Sequence, residues 1–187
     1  METMQSIPTK EHLSTEANSG SLIFEQTRSD EMISHVFSLM QPEFIPEGGN
    51  LRELSLERLT EIANRDGELW IAREGNRLLS CQTVTPLPGQ FGNWSYLNYG
   101  VVAPEERHQG GQIIENLIKT CVNVPRETAG FVVITVARGI FARNGFSQID
   151  VEGLNRIDPI IARIINEKIR PDKESYIFVL QKEGKLC

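Results

Sequence analysis

The stretch from residue 93 to 123 limits the fold more than any other part of the chain. A strand-like run, Asn93 to Val102, is stopped by Pro104, which has no N–H for a ladder. After Gly110 and Gly111 comes an apolar stripe at helical spacing: Ile113, Ile114, Leu117, Ile118 and Cys121. The spacing predicts a helix from about Gln109 to Asn123. Within the strand the large residues change phase, Trp94 and Tyr96 on one parity and Leu97, Tyr99 and Val101 on the other. One extra residue in a β-bulge produces such a switch.

The flanking segments supply the remaining layers. Leu22 to Thr27 reads as a first strand. Asp30 is a candidate cap for a helix carrying Ile33, Val36, Phe37 and Met40 on one face. Gln41 to Asn50, with two prolines and Gly48-Gly49, reads as a loop. Ser55 caps a second helix with Leu56, Leu59, Ile62 and Ala63 inward, stopped at Asp66-Gly67. Leu69–Arg73 and Arg77–Thr85 form a hairpin about Gly75-Asn76, broken by Pro86, Pro88 and Gly89. Phe131 to Val136 is apolar throughout, as in a strand buried on both faces. A short helix to Asn144 and a strand from Phe146 to about Val151 follow. Asp158 then caps a helix with Pro159 at its first position and Ile160, Ile161, Ile164, Ile165 and Ile169 buried. Tyr176 to Gln181 is the last strand.

At 187 residues the chain fits a single domain over 21–187, preceded by a flexible polar arm over 1–20. The odd count of three cysteines, widely spaced, fits neither a disulfide framework nor a zinc site, and no metal is expected. No secretory signal and no apolar run of spanning length is visible, which predicts a cytoplasmic protein with no membrane partner. The net charge of −6 argues against a nucleic-acid surface.

Residues 102–112 carry the chemistry. Gly110 and Gly111 let backbone approach a ligand at a helix start, where free N–H groups and the helix dipole favour phosphate. Taken alone, such a corner is more often a tight turn before a core helix. The absence of a lysine after the glycines excludes a P-loop.

The pattern Val102-x-Pro104-x-x-Arg107-x-x-Gly110 resembles the acetyl-CoA signature of the GCN5-related N-acetyltransferases. Phe141-Ala142-Arg143-Asn144-Gly145-Phe146 is similar to that family's second landmark, a short helix ending in Gly-Phe. The element order from 22 to 181 also fits, with one extra helix near 158–169. The resemblance implies one α/β (α+β) domain with a mixed, mostly antiparallel sheet of about seven strands. It implies acetyl-CoA as co-substrate and direct attack of a primary amine, on a small molecule or a protein, without an acyl-enzyme. Backbone around Gly100, Val101 and Val102 would take the pantetheine arm. The diphosphate would lie against His108, Gln109, Gly110, Gly111, Gln112 and Ile113, with Arg107 beside the phosphates or paired to Glu105 or Glu106 in a solvated corner. The Val102 N–H would be the donor that polarises the thioester. Tyr96, Asn98 and Tyr99 lie where an acceptor should enter, and packing is their plain alternative. Arg138 and Arg143, on the short helix, are within reach of the cofactor, with solvation as the default for surface arginines. Members of this superfamily are often dimers, which leaves a homodimer open.

Two positions depart from the family pattern. Gln112 stands where a last small residue is usual. Phe141 stands where many members have a tyrosine that protonates the leaving thiolate. A catalytically weakened domain that binds coenzyme A or a partner protein without turnover is therefore the alternative.

Overall fold

In a computed structural model of the chain, residues 21–44, 54–109, 111–169 and 174–182 are described. The expected arm over 1–20 and most of the loop expected after Gln41 lie outside them. Seven strands form one sheet in the order β1-β2-β3-β4-β5-β7-β6: β1 Leu22–Gln26, β2 Glu68–Glu74, β3 Arg77–Pro88, β4 Asn93–Val102, β5 Gly130–Thr135, β6 Ser147–Ile149 and β7 Tyr176–Gln181. Every neighbouring pair is antiparallel except β4–β5, which is parallel.

Among the described residues six α-helices cover the sheet: α1 Asp30–Phe44, α2 Leu56–Glu61, α3 Gln112–Asn123, α4 Arg138–Arg143, α5 Val151–Ile157 and α6 Pro159–Lys168. One face packs under α3 and α4, where Leu117, Ile118, Cys121 and Phe141 meet Trp70, Leu97, Phe131, Val133 and Phe178. The other face is shared. Ile33, Val36, Met40 and Leu59 from α1 and α2 cover Leu69, Ile71, Cys81 and Val101. Leu154, Ile161 and Ile165 from α5 and α6 cover Trp94, Tyr96, Val132, Ile177 and Val179.

Several local expectations are corrected. Asp30 lies inside the first turn of α1, and Ser29 is the cap, its carbonyl accepting from Ile33 at 2.8 Å. Helix α1 runs on through Pro42 to Phe44, since a proline in the final turn removes only a late ladder bond. Leu56 is exposed, not inward. Helix α2 does stop at Gly67, but through π-helical turns over Ile62–Asp66. Strand β3 continues through Pro86 to Pro88, because β2 has already ended opposite Val84 and only β4 remains as a neighbour. Helix α3 starts at Gln112, after a 3-10 segment over Pro104–Gln109. Val136 leaves β5 for solvent at 72% exposure. The strand expected from Phe146 to about Val151 is shorter, Ser147–Ile149, and Val151 instead opens α5, a helix not anticipated, capped by Asp150, which accepts from Gly153 at 2.6 Å. Ile160, Ile164 and Ile169 are only half-buried, leaving Ile161 and Ile165 as the buried ridge of α6.

Asp158 fastens this helical pair to the sheet. It is fully buried and caps α6, accepting from the N–H groups of Ile160 at 3.1 Å and Ile161 at 3.2 Å. The same carboxylate accepts from Gln90 N at 3.0 Å, Phe91 N at 3.4 Å and Trp94 Nε1 at 3.2 Å in the β3–β4 turn.

Candidate acyl-CoA site

The predicted bulge is present. Cys81 pairs with Val101 and Thr83 with Asn98, so Tyr99 and Gly100 together face Gln82. Tyr99 takes φ 47°, a left-handed conformation uncommon for a residue with a side chain. The extra residue returns Val101 to the face that holds Trp94 and Tyr96. The displaced Asn98 carbonyl is not left bare. Gln82 Nε2 and Thr83 Oγ1 both donate to it at 2.6 Å, and the Asn98 side-chain oxygen accepts from Tyr99 N at 3.0 Å. A Cβ at Gly100 would stand 2.5 Å from Gln82 Oε1, so glycine there lets the amide into the bulge.

At the same point β4 loses its other neighbour. Its parallel pairing with β5 runs from Trp94↔Gly130 to Leu97↔Val133 and stops, while β5 continues along β7 to Thr135. Beyond Leu97, among the described residues, β4 is paired only to β3. The ladder indicates which groups face the gap. Ala103 N donates to Leu79 O on β3 at 2.8 Å. Alternation along an antiparallel pair then turns the N–H and C=O of Val102 away from β3. Arg107 meets the Val102 carbonyl from that side, its Nε at 3.3 Å.

The gap leads to the start of α3. Gly111 is its N-cap residue at φ 81°, with no side-chain cap bond. The structure brings Gly100, Val101, Val102, Arg107, His108, Gly111, Gln112 and Ile113 into one continuous strand, corner and helix start. His108 and Gln112 are exposed, and Ile113 is buried in the sheet packing. Gly110 and the side chain of Gln109 lie outside what is described. Tyr96 is buried beneath α5 and α6, with Lys168 Nζ 5.7 Å from its ring, and Tyr99 packs on the α1–α2 cluster.

Other expectations change. Glu106 is not solvated: it is 5% exposed and ion-paired with Arg77. Phe141 is a core residue, edge-to-face with Phe146 at 5.4 Å and 6.1 Å from Phe178. Arg138 pairs with Glu174 at 3.1 Å and stacks over Tyr176. Arg143 donates from Nε to Glu115 Oε1 at 2.8 Å, and this bond holds the Glu115 carboxyl below the usual carboxylate range. Burial pushes the Cys81 thiol up to about 12 and raises that of Cys121 as well, so both stay protonated and neither is a nucleophile. The bulge supports Ser80, Gln82 and Thr83 were missed in the sequence. Their signal is a buried polar run in β3, Ser80 donating to Val101 O at 2.8 Å, opposite the phase change in β4.

No helix among the described residues is long and apolar enough to cross a membrane, and no group of three or more His, Cys, Asp or Glu among them forms a metal cluster. No protein-family model and no curated protein matches the chain. Solved structures do. An acetyltransferase of the GNAT family from Staphylococcus aureus Mu50 aligns with TM-score 0.59 at 14% identity, over 86% of this chain and 99% of that one. An acetyltransferase from Streptococcus agalactiae 2603 aligns with TM-score 0.54 at 15% identity, over 86% and 98%. N-acetylglutamate synthase from Neisseria gonorrhoeae, complexed with coenzyme A and N-acetylglutamate, aligns with TM-score 0.58 at 17% identity, over 88% of this chain and 36% of the synthase. At these identities the likeness is one of architecture: the chain has the fold of the GNAT-family acetyltransferases.

Proposed function

We propose that the protein is an acyl-CoA-dependent N-acyltransferase of the GCN5-related superfamily, transferring an acyl group to a primary amine in a ternary complex. The observation that carries this reading is the one-sided edge of β4 beyond Leu97, which leads through the 3-10 segment Pro104–Gln109 to Gly111 at the start of α3. An extended ligand with amide groups can take the place of the missing strand. Its phosphates would then meet the backbone of 108–113, where the helix dipole is positive. Gly100, Val101 and Val102 would hold the pantetheine arm. Bound there, acyl-CoA supplies an activated thioester.

The chain's own groups act by position. The Val102 N–H, turned from β3, is the donor for the thioester oxygen, a role worth about 3 kcal/mol in comparable sites. Its strand is held in place by Ser80, Gln82 and Thr83, so the donor is fixed before the ligand arrives. Tyr96 is closed off beneath α5 and α6, so the half-buried Tyr99 is the tyrosine left to face the acceptor. Asn98 is spent on the bulge through its side-chain oxygen. Phe141, locked among aromatic rings, gives no proton to the leaving thiolate. As the C–N bond forms and the C–S bond breaks, the amine's proton passes to water, and because an unperturbed thiol has a pKa of about 8.5 the thiolate's departure into water is tolerable.

Phe141 also favours a second reading, a domain of the same fold that binds coenzyme A without turnover. Release of free thiol from acetyl-CoA, followed over a panel of amino acids, polyamines and lysine peptides, separates the two. Acceleration by one amine class at least tenfold over the amine-free rate is expected. Binding of acetyl-CoA with no acceleration by any amine points to the second reading.

A further inference from the structure

Resting on the acyl-CoA reading, one feature of this chain works against it. Glu115 sits in the first turn of α3, its N–H bonded to Gly111 O at 3.0 Å. A Cβ on Gly111 would lie 3.9 Å from Glu115 Oε1 and 3.5 Å from Ile140 Cδ1. A carboxylate therefore stands against the backbone corner assigned to a diphosphate. Like charges at such separations repel, and the repulsion grows as the site loses water. Arg143, reaching across from α4, places Nε and Nη2 on the Oε1 atom of Glu115.

We propose that Arg143 is a positioning residue for coenzyme A that works through Glu115: it neutralises this carboxylate where it stands beside the phosphate corner. An exposed ion pair adds little to fold stability, and Arg143 is 56% exposed, so the pair's value lies in ligand charge and not in holding the chain together.

The test is a double-mutant cycle read by acetyl-CoA affinity, with S-acetylpantetheine, which lacks the diphosphate, as the comparison ligand. Acetyl-CoA binding by the wild-type protein is measured first, since its absence overturns the acyl-CoA reading and this proposal with it. Arg143→Ala is expected to weaken acetyl-CoA about five- to tenfold at low salt, less at high salt. Arg143→Lys is expected to restore most of the loss. Glu115→Gln alone should bind as well as wild type or a few-fold tighter, and the Arg143→Ala/Glu115→Gln double variant should return to within about threefold of wild type. Acetylpantetheine affinity should change in none of them. The proposal is overturned if Arg143→Ala binds acetyl-CoA normally, if the double variant stays as weak as Arg143→Ala, or if acetylpantetheine weakens in parallel.

Discussion

Replacing Asp158 with alanine is expected to lower the thermal midpoint by about 10 °C, a larger loss than any other single polar replacement in the sheet-facing helices. The carboxylate is fully buried and holds N–H groups of Gln90, Phe91, Ile160 and Ile161 together with the Trp94 indole. Alanine leaves these donors without an acceptor, those of Trp94 and Ile161 in a buried site, and it removes the cap of α6. Buried unsatisfied donors cost about 1–3 kcal/mol each and a lost cap about 1 kcal/mol. Relaxation reduces the sum to about 4 kcal/mol, and a domain of this length loses about 2–4 °C per kcal/mol. Asp158→Asn, which keeps one acceptor oxygen, should fall between. Gly89→Ala should act on the same joint, because a Cβ there would meet Asp158 Oδ2 at 2.4 Å and Gly92 O at 2.6 Å. Denaturant titration checks the change in free energy; a loss under about 1 kcal/mol, within the range of an ordinary surface change, would mean that apolar contacts alone hold α6.

A loss of at least a hundredfold in acetyl-CoA affinity is expected when Gly110 and Gly111 are both replaced by valine. Gly111 occupies φ 81°, where a β-branched side chain is strained by about 1–3 kcal/mol. The strain is relieved by moving the corner, which takes its N–H groups off target, and the added side chains block what approach remains. Gly111→Asn, which tolerates the left-handed region, separates backbone geometry from bulk: it should keep the fold and lose only part of the affinity. Calorimetric titration reads the affinities. Unchanged binding in the double valine variant would remove the corner from the site.

The parts of this fold that were legible in the sequence are those where one physical demand dominates. Ile113, Ile114, Leu117, Ile118 and Cys121 must share a face, and α3 follows. The parity switch from Tyr96 to Val101 allows little besides a bulge, and the bulge is there. The cap at Asp158 was legible, but its reach to Gln90 and Trp94 was not, because a sequence does not say which distant turn a carboxylate will meet. Glu106 reads as solvated until Arg77, far upstream, is seen to cover it. Pro86 and Pro88 look like strand breakers because their tolerance depends on β2 ending first, which is a fact about a neighbour. Helix α5 is short, with Gly153 in its middle, and its local preference is weak; Asp150 and the packing of Leu154 decide it. In the candidate site the strand, corner and helix start were readable, while the side chains that keep the strand bent, Gln82 and Thr83, come from the opposite strand.

The most direct test of acyl-CoA binding at the β4 edge and the α3 corner is thermal unfolding with and without acetyl-CoA, with ATP and pantetheine as controls. Ligand at a hundred times its dissociation constant adds about 2.7 kcal/mol. The expected result is a midpoint raised by several degrees with acetyl-CoA, little change with either control, and no rise in the Gly110→Val/Gly111→Val variant. An unchanged midpoint with acetyl-CoA, or an equal rise with ATP, would contradict it.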